Sequence, residues 1–424
     1  MKALRFSRSL PRFAAARVAG SLTPGGGARV GPLTLVEAPE PELPGPGWAR
    51  VHPLLAGICG SDLATLGGRS SRYFEPIVSF PFVPGHEVVG TTEDGARVVL
   101  EPVLGCIARG IEPPCAACAA GDSGRCHHLS IGHLKPGLQT GYCADTGGGW
   151  STALVAHESQ LHRVPEPLCD EAAVMVEPAA CAVHGVLRAA VPEGALVVVL
   201  GAGTLGLCVT AALRRFALPG TVVVGAKHPD QQAEARRLGA DVAVAPPEVR
   251  RAVRRAARCL EVGERLAGGA DAVIDCVGRG ESLAEALAIT RPGGRVTLVG
   301  MPGPARIDLA PLWQREIELV GAYAYGSENP RGPGGVPRDD RRRRVRTFDL
   351  AFDLVADAGL GRLVSARYPL ERYREAIQHA STAGSRGAVK IVFEPSGGMG
   401  VSPKMPGGKG VSPKMPGGKG VSPR

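Results

Sequence analysis

The sequence lacks long apolar runs and is poor in aromatic residues. Its longest apolar runs, 196–200 and 222–224, are short and lie beside glycines, and only 4% of its 424 residues are aromatic. A transmembrane helix needs about 20 apolar residues in succession, so we expect no membrane span. Residues 1–6 also lack the continuous apolar stretch of a secretory signal, and we therefore expect a cytoplasmic protein.

The body of the chain also lacks a strong excess of charge of one sign. The formal net charge of +9 is concentrated in 341–346 and in the C-terminal tail. No aromatic residues for base stacking are interleaved with these charges, so we interpret both segments as solvated and predict no nucleic-acid partner. Salt-sensitive DNA binding that disappears when the chain is cut after Pro395 would contradict this. Three arginines at 8, 12 and 17 predict a basic loop after an opening strand.

Cysteine, in contrast, is abundant, with eleven residues. The count is odd and no export signal precedes it, which argues against a disulfide framework. Four cysteines lie at metal-ligand spacing in a Gly- and Pro-rich segment: Cys106, Cys115, Cys118 and Cys126. Four thiolates form a closed tetrahedral shell, which predicts a structural zinc site. Eight residues separate Cys106 from Cys115, so Glu112 and His127 are alternatives to Cys106.

The composition of the chain changes near residue 171. Up to about residue 165 it is rich in Gly and Pro with short β-type runs, which predicts an irregular β domain. Beyond that point predicted helices alternate with almost wholly apolar β runs: helices over 171–190, 231–238 and 281–289, and strands over 196–200, 221–224, 272–275 and 295–299. Apolar strands separated by helices predict a parallel sheet covered on both faces.

The C-terminal part contains two segments of biased composition. A Pro-, Gly- and Arg-rich segment, 327–346, predicts an exposed loop, and a helix over 347–357 and a strand over 389–393 follow it. From residue 400 a ten-residue pattern of Gly, Pro and Lys repeats. Because this repeat has no apolar face to bury, we predict a disordered tail over 396–424.

A glycine-rich loop follows the apolar run 196–200 and opens a helical stretch. Its glycines are Gly201, Gly203 and Gly206, with Thr204 and Leu205 between the last two. The first glycine permits a tight turn, the second lets the backbone approach a pyrophosphate, and the third lets helix and strand pack closely. The helix N-terminus supplies free N–H groups for phosphates, so the loop predicts dinucleotide binding.

The end of the next β run indicates which dinucleotide is bound. NAD enzymes usually carry Asp or Glu about 20 residues after the loop, where it holds the ribose 2′-hydroxyl. Here the run 221–224 is followed by Gly225, Ala226, Lys227 and His228. Gly225 leaves space for a 2′-phosphate that Lys227 and His228 would neutralise, which favours NADP over NAD. NAD bound through backbone contacts, with Lys227 in solvent, is the alternative.

Cys59 and His86 each lie in a Gly-rich turn, where a side chain can point into a cleft. A catalytic zinc needs three protein ligands and one open position. Glu177 and Glu87 compete for the third position, and Glu177 precedes Pro178 at the junction into the second domain. Taken singly, Cys59 and His86 are more typical of packing residues.

Together these motifs resemble the zinc-dependent medium-chain alcohol dehydrogenases. The segments that carry the resemblance are 57–62, 85–90, the four-cysteine segment, 176–178, the Gly201 loop, 239–241, 271–275, 292–294 and 390–392. The resemblance covers nearly all of the chain before residue 395. Glu177, where other branches of the family have a cysteine, is most similar to the polyol, glucose and threonine dehydrogenase branch.

The resemblance implies an α/β protein with two domains. A GroES-like β-rich catalytic domain would span 1–177 and 323–395, and a Rossmann domain with a doubly wound parallel sheet would span 178–322. It also implies two zinc ions per chain, and a homodimer or homotetramer. The catalytic zinc would lie at Cys59 and His86, with Glu87 and Glu177 as direct or water-mediated partners.

The resemblance further implies roles for single residues. Ser61 would take the substrate proton, and Asp62 would orient its neighbours. Val277 and Val299 would border the nicotinamide, and Lys390 would approach the diphosphate.

The chain departs from the family pattern at three places. The relay histidine of some members is Ala64 here, so the proton must leave by another route. The gap between Cys106 and Cys115 is longer than usual, and the segment 327–346 is unusual in length and charge.

The sequence therefore predicts an enzyme that transfers a hydride between NAD(P) and an alcohol of the secondary, polyol or sugar type, reversibly with the aldehyde or ketone. An NADPH-dependent biosynthetic carbonyl reductase and a non-catalytic nucleotide-binding homologue are the alternatives. The intact set of Cys59, Ser61, His86 and Glu177 argues against the second. We expect Trp150, Phe80 and 327–346 to line the substrate pocket, but no residue identifies the alcohol.

Overall fold

Two large sheets organise the protein, which a computed structural model describes over residues 1–263, 265–329 and 344–396. The helices are α1 (Leu10–Leu22), α2 (Gly27–Val30), α3 (Gly60–Leu66), α4 (Ala116–Ala119), α5 (Asp170–Ala173), α6 (Val176–Ala189), α7 (Thr204–Phe216), α8 (Pro229–Arg237), α9 (Val249–Ala256), α10 (Gly280–Ile289), α11 (Ala310–Gln314), α12 (Thr347–Ala358) and α13 (Tyr373–Ser381). The strands are β1 (Lys2–Phe6), β2 (Leu33–Glu37), β3 (Trp48–Gly57), β4 (Val88–Thr92), β5 (Arg97–Leu100), β6 (Leu154–His157), β7 (Leu161–Arg163), β8 (Leu196–Leu200), β9 (Thr221–Gly225), β10 (Val242–Val244), β11 (Glu261–Val262), β12 (Arg265–Leu266), β13 (Ala270–Asp275), β14 (Thr290–Leu298), β15 (Glu318–Gly321), β16 (Ser327–Glu328), β17 (Val345–Arg346), β18 (Val364–Tyr368) and β19 (Lys390–Phe393).

Six parallel strands form the sheet that the apolar β runs predict, in the order β10-β9-β8-β13-β14-β15. Successive residues of β8 point to opposite faces. Val197 and Val199 belong to the core that α6, α7 and α12 cover, whereas Val198 and Leu200 belong to the core under α9 and α10. Burial on both faces explains why these strands are almost wholly apolar.

The strand order reverses between β8 and β13. In an open α/β sheet, ligands bind outside the carboxyl ends of the strands at this switch point. Gly201 directly follows β8, and Cys276 directly follows β13. The topology therefore brings two segments that the sequence assigned to a nucleotide to one place.

The second sheet has the order β18-β19-β3-β4-β5-β7, and β6 pairs with β3. Only β18 and β19 run parallel to each other, since the other pairs are antiparallel. The C-terminal strands thus return to the sheet that the N-terminal half begins. The α/β fold with a β-rich domain and a doubly wound parallel sheet is confirmed.

The prediction of a basic loop after β1 is wrong, because residues 10–22 form α1. This segment contains three consecutive alanines and a proline in its first turn, both of which favour a helix. Ala16 is the buried residue of this helix, whereas Leu10 and Leu22 are exposed. The helix predicted over 171–190 is divided into α5 and α6.

Two other predictions lie partly or wholly outside the described residues. Of the segment 327–346, the structure describes only the ends, where β16 pairs with β17. Of the predicted disordered tail, residues 397–424 are not described.

One helical stretch, 170–189, is long and apolar enough to cross a membrane by composition. However, 78% of this window is buried within the fold. Helices that are apolar all round are typical of protein cores as well as of membranes, so the stretch is explained by its packing on α7 and α12.

Candidate active site

A cleft of about 3340 Å³ opens at the switch point of the parallel sheet and reaches α3 and α6. Most of the residues proposed for metal and nucleotide binding line it: Cys59, Ser61, His86, Glu87, Glu177, Gly203, Thr204, Leu205, Gly206, Lys227, Val277, Val299 and Lys390. Gly201, Gly225 and His228 are not among the lining residues. The structure thus places the predicted metal and nucleotide segments on one cleft.

The three glycines of the nucleotide loop have three different environments. Gly201 has φ +94°, a conformation that side chains other than glycine rarely adopt. A Cβ at Gly206 would overlap the Gly201 carbonyl oxygen, so helix α7 can approach β8 only without a side chain there. Gly203, before the first residue of α7, has open space around its Cα. The backbone at Gly203 is therefore accessible to a diphosphate, as the motif predicts.

A buried carboxylate shapes the neighbouring turn after β13. Asp275 accepts N–H hydrogen bonds from Val277 at 2.8 Å and from Gly278 at 3.2 Å, and a hydroxyl bond from Ser282. Burial raises the pKa of this carboxyl group, and the hydrogen bonds oppose that change. The sequence showed Asp275 only as part of a family motif, and no local signal indicated its role in holding Val277 at the cleft.

The end of β9 carries no carboxylate. Gly225 is buried, and a Cβ there would lie 3.0 Å from Val249 Cγ2. Lys227 is exposed on the cleft, and no salt bridge joins it to another described residue. His228 precedes α8 and packs near Gly384, where a Cβ would lie 2.6 Å from the His228 ring.

Cys59, His86 and Asp62 form a connected group at the start of α3. The Cys59 N–H donates to Asp62 Oδ2 at 2.9 Å, which holds the thiol at the helix N-terminus. His86 Nδ1 lies 3.6 Å from Asp62 Oδ1, and it is a buried nitrogen without a hydrogen-bond partner. Burial lowers the pKa of His86, but Asp62 and the Cys59 thiol outweigh it, so the pKa lies well above 6.5.

Glu177 lies in the first turn of α6, and only 5% of it is exposed. Burial raises the pKa of its carboxyl group to about 7, although the charge of His86 opposes this change. The Cys181 thiol donates to Glu177 Oε1 at 3.6 Å. Glu177 therefore brings an oxygen ligand, which costs free energy to ionise when no cation is near.

Glu87 and Lys390 form an ion pair beneath this group. Both are buried, and the Lys390 ammonium also donates to the Ile58 carbonyl oxygen at 3.2 Å. Burial lowers the pKa of Lys390, but Glu87 and Cys59 outweigh it, so the ammonium stays charged. Lys390 lines the cleft, and its expected approach to a diphosphate stays a prediction. The preceding residue contacts the nucleotide loop, because Val389 O accepts from Thr204 at 3.5 Å.

The donor atoms at this site are of the kinds that bind zinc, but they do not lie close together around one point. Thiolate, imidazole and carboxylate are the ligands of catalytic zinc. The His86 Nδ1 faces the Asp62 carboxylate, and a carboxylate in this place orients a histidine whose other ring nitrogen binds a metal. Within the described ranges, however, the ligand atoms of Cys59, His86 and Glu177 do not form a group lying within 4.8 Å of one another. Glu87 is engaged by Lys390, which leaves Glu177 as the freer carboxylate.

The four-cysteine segment does form a compact ligand set. The Cys106, Cys115, Cys118 and Cys126 sulfurs all lie within 4.8 Å of one another. Cys106 is a member, so neither Glu112 nor His127 is needed in its place. Burial opposes ionisation of Cys115, but the His127 and Cys118 amides outweigh it and lower its pKa to about 6. A thiol that ionises easily among three others suits a structural zinc.

A group of hydroxyls lies on the other side of Ser61. Tyr142 is buried, and its hydroxyl contacts Ser61 and donates to Asp62 Oδ1 at 3.4 Å. Burial and the charge of Asp62 raise the pKa of Tyr142 well above 10, so the phenol keeps its proton. The sequence offered no signal for Tyr142, because it lies 80 residues from Asp62 in an irregular loop.

The expectations for the pocket wall are met only in part. Phe80 lines the cleft. Trp150 does not, because it is fully buried and its indole N–H donates to the Gly57 carbonyl oxygen at 3.1 Å. It is a core residue that packs on Phe393.

Comparison with known proteins gives consistent results. Residues 45–166 match the family model described as alcohol dehydrogenase GroES-like domain, and residues 204–332 match that described as zinc-binding dehydrogenase. A sorbitol dehydrogenase of Arabidopsis thaliana is 31% identical over 297 residues, which is 68% of this chain and 76% of that protein. An L-idonate 5-dehydrogenase of Vitis vinifera is 29% identical over 305 residues, with the same two shares. The crystal structure of 2R,3R-butanediol dehydrogenase from Bacillus subtilis has a TM-score of 0.63 at 22% identity, covering 93% of this chain and 99% of that chain.

Proposed function

Because the chain belongs to the zinc-dependent medium-chain alcohol dehydrogenase family, in its polyol branch, we propose that it oxidises a secondary hydroxyl of a polyol with NADP. Hydride transfer between an alcohol and NAD(P), reversible with the carbonyl compound, is the activity of this family. The observation that carries the assignment is the shared cleft, which Cys59, His86 and Glu177 line together with the nucleotide loop. The polyol class is supported by the sorbitol and L-idonate dehydrogenases to which the chain is similar.

Each residue of the cleft has a proposed task. Cys59, His86 and Glu177 hold the catalytic zinc, and Asp62 orients His86. A bound zinc supplies a Lewis acid that lowers the pKa of an alcohol hydroxyl, and a bound nicotinamide accepts a hydride. Ser61 takes the hydroxyl proton from the substrate. Glu87 acts through its charge and its pair with Lys390, since its carboxylate is already engaged.

The preference for NADP is supported by two features at the end of β9. Gly225 has no carboxylate to repel a 2′-phosphate, and Lys227 is an exposed ammonium on the cleft with no acidic partner among the described residues. We expect Lys227→Ala to lower kcat/KM for NADP about tenfold, the value of one charge-assisted hydrogen bond, and to leave kcat/KM for NAD unchanged. Lys135→Ala, which removes a surface ammonium paired with Asp145 at 2.9 Å, is the control. A wild-type preference for NAD would contradict the proposal.

The substrate class is tested with a panel of alcohols under both nucleotides. Sorbitol, L-idonate, 2,3-butanediol and 2-propanol would be offered to the zinc-loaded protein, with nicotinamide absorbance as the readout. We expect the polyols to be oxidised with the highest kcat/KM, and Cys59→Ser to abolish the activity. Reduction of the matching ketones without measurable oxidation would instead favour the biosynthetic reductase. A zinc-loaded protein inactive in both directions would be a non-catalytic homologue.

Three coarser features complete the proposal. We infer a homodimer or homotetramer, which sedimentation would test, and a cytoplasmic location. Domain boundaries near 177 and 323 are supported by the six-stranded parallel sheet, whose strands all lie between Leu196 and Gly321. Limited proteolysis would locate them.

A further inference from the structure

Helix α3, which begins directly after Cys59, places two hydroxyls on one side. Ser61 and Thr65 are four residues apart in α3, so their side chains lie on the same helix face. Both line the cleft. Ala64, between them, cannot carry a proton, although some members of the family have a histidine at this position. A proton taken by Ser61 therefore needs another path.

Tyr142 and Ser70 extend these two hydroxyls into a chain. The Tyr142 hydroxyl contacts Ser61 and lies 3.4 Å from Thr65 Oγ1, and Thr65 Oγ1 lies 2.9 Å from Ser70 Oγ. Tyr142 is only 8% exposed, whereas Ser70 is half-buried and is followed two residues later by the exposed Arg72. All four residues line the cleft, so the series runs along the cleft wall from Ser61 toward the exposed Arg72.

We propose that the hydroxyls of Ser61, Tyr142, Thr65 and Ser70 form the relay that carries the alcohol proton to solvent. This proposal rests on the proposed function, because without alcohol oxidation there is no proton to carry. The substrate O–H bond breaks and its proton joins Ser61 Oγ, while the Ser61 proton passes to Tyr142 Oη. The Tyr142 proton passes to Thr65 Oγ1, the Thr65 proton to Ser70 Oγ, and the Ser70 proton to water. Each hydroxyl ends with one proton, and one proton reaches solvent.

One contact positions the phenol for this relay. Asp62 Oδ1 accepts from the Tyr142 hydroxyl at 3.4 Å, which keeps the phenol oxygen between Ser61 and Thr65. The 3.4 Å contacts are at the long end for hydroxyl hydrogen bonds, and catalytic hydrogen bonds of this kind tighten when substrate binds. Tyr142 and Thr65 touch the proton in transit and are catalytic residues in this scheme, whereas Asp62 is a positioning residue.

The test compares Thr65→Val with Thr65→Ser. Valine keeps the shape of threonine without its hydroxyl, and serine keeps the hydroxyl without the methyl group. We expect Thr65→Val to lower kcat for sorbitol oxidation about tenfold or more, within the range for proton-transfer groups, with KM and NADPH fluorescence quenching unchanged. Its solvent deuterium isotope effect on kcat should rise, and added imidazole should restore part of the rate. Thr65→Ser should keep the wild-type values.

A second site and a control complete the design. Ser70→Ala, at a half-buried position, should repeat the effect of Thr65→Val. Ser71→Ala, whose hydroxyl accepts from the Tyr73 N–H at 3.2 Å, should change nothing. Equal losses in Thr65→Val and Thr65→Ser, or no loss and no isotope effect in Thr65→Val, would overturn the relay alone. A wild type that oxidises no alcohol would overturn the proposed function and the relay with it.

Discussion

The buried pair of Glu87 and Lys390 shows how much stability can depend on a single charged residue. Their side chains are 2% and 1% exposed, and they lie 303 residues apart in the sequence. A buried ion pair adds little stability over an apolar pair, but the loss of one partner leaves a charge that is costly to bury. A Cβ at Gly57 would overlap the Glu87 carboxylate, so this carboxylate has room only because residue 57 lacks a side chain.

We expect Glu87→Gln to lower the free energy of unfolding by about 3–5 kcal/mol, because it leaves the Lys390 ammonium buried without a countercharge. Urea unfolding at equal zinc content measures this. The matched control is Glu371→Gln, which removes the partner of Lys2 in a pair whose side chains are 49% and 50% exposed. There the change should be below about 1 kcal/mol. An equal loss of unfolding free energy in the two variants would show that the buried Lys390 ammonium does not need the Glu87 charge.

At the scale of elements, the glycine loop between β8 and α7 contains one glycine needed for packing and another needed for nucleotide binding. Gly206 lies against the Gly201 carbonyl oxygen, and Gly203 has open space. The same substitution at the two positions should therefore act in different ways. A side chain at Gly206 affects the packing of the helix on the strand, whereas one at Gly203 affects only the surface that meets the diphosphate.

Gly206→Ala should lower the midpoint of urea unfolding, because α7 must move away from β8. Gly203→Ala should leave the midpoint near the wild-type value, since the backbone at Gly203 is extended with φ −78°. It should raise the Kd for NADPH about tenfold or more by placing a methyl group where the diphosphate approaches. Calorimetric titration with NADPH measures the second effect. Unchanged affinity in Gly203→Ala would place the diphosphate elsewhere.

At the scale of the whole molecule, the two proposed metal sites differ in how their ligands are arranged. The four-cysteine segment has its ligands already gathered, and the group at Cys59 joins residues of α3, α6 and the turn before β4 across the cleft. A structural site contributes its binding energy to folding, whereas an open site leaves a position for substrate.

Zinc analysis should find two ions per chain. Cys118→Ser should remove one ion and lower Tm by roughly 5 °C or more, because the segment loses its internal link. Cys59→Ser should remove the other ion, abolish activity and change Tm less. Metal content by mass spectrometry and calorimetry give the two readouts. Two ions retained in Cys118→Ser, or one ion in the wild type, would contradict this assignment.

What the sequence determined by itself is what depends on short stretches of chain. The glycine loop, the parallel strands and the four cysteines were predictable because spacing along a few residues decides backbone conformation and which ligands are near each other. The strand β8 has the predicted bounds, and α12 ends one residue later than expected. These elements need no distant partner to be recognised.

Only the tertiary structure decided which side chains from distant parts of the sequence contact each other. Lys390 pairs with Glu87, Trp150 packs in the core rather than in the pocket wall, and Tyr142 contacts Ser61 and Thr65. Each outcome depends on burial and on charges contributed by residues far away in the sequence. The free energy of burying a charge or a ring depends on all the residues around it, and no short stretch of sequence identifies those residues.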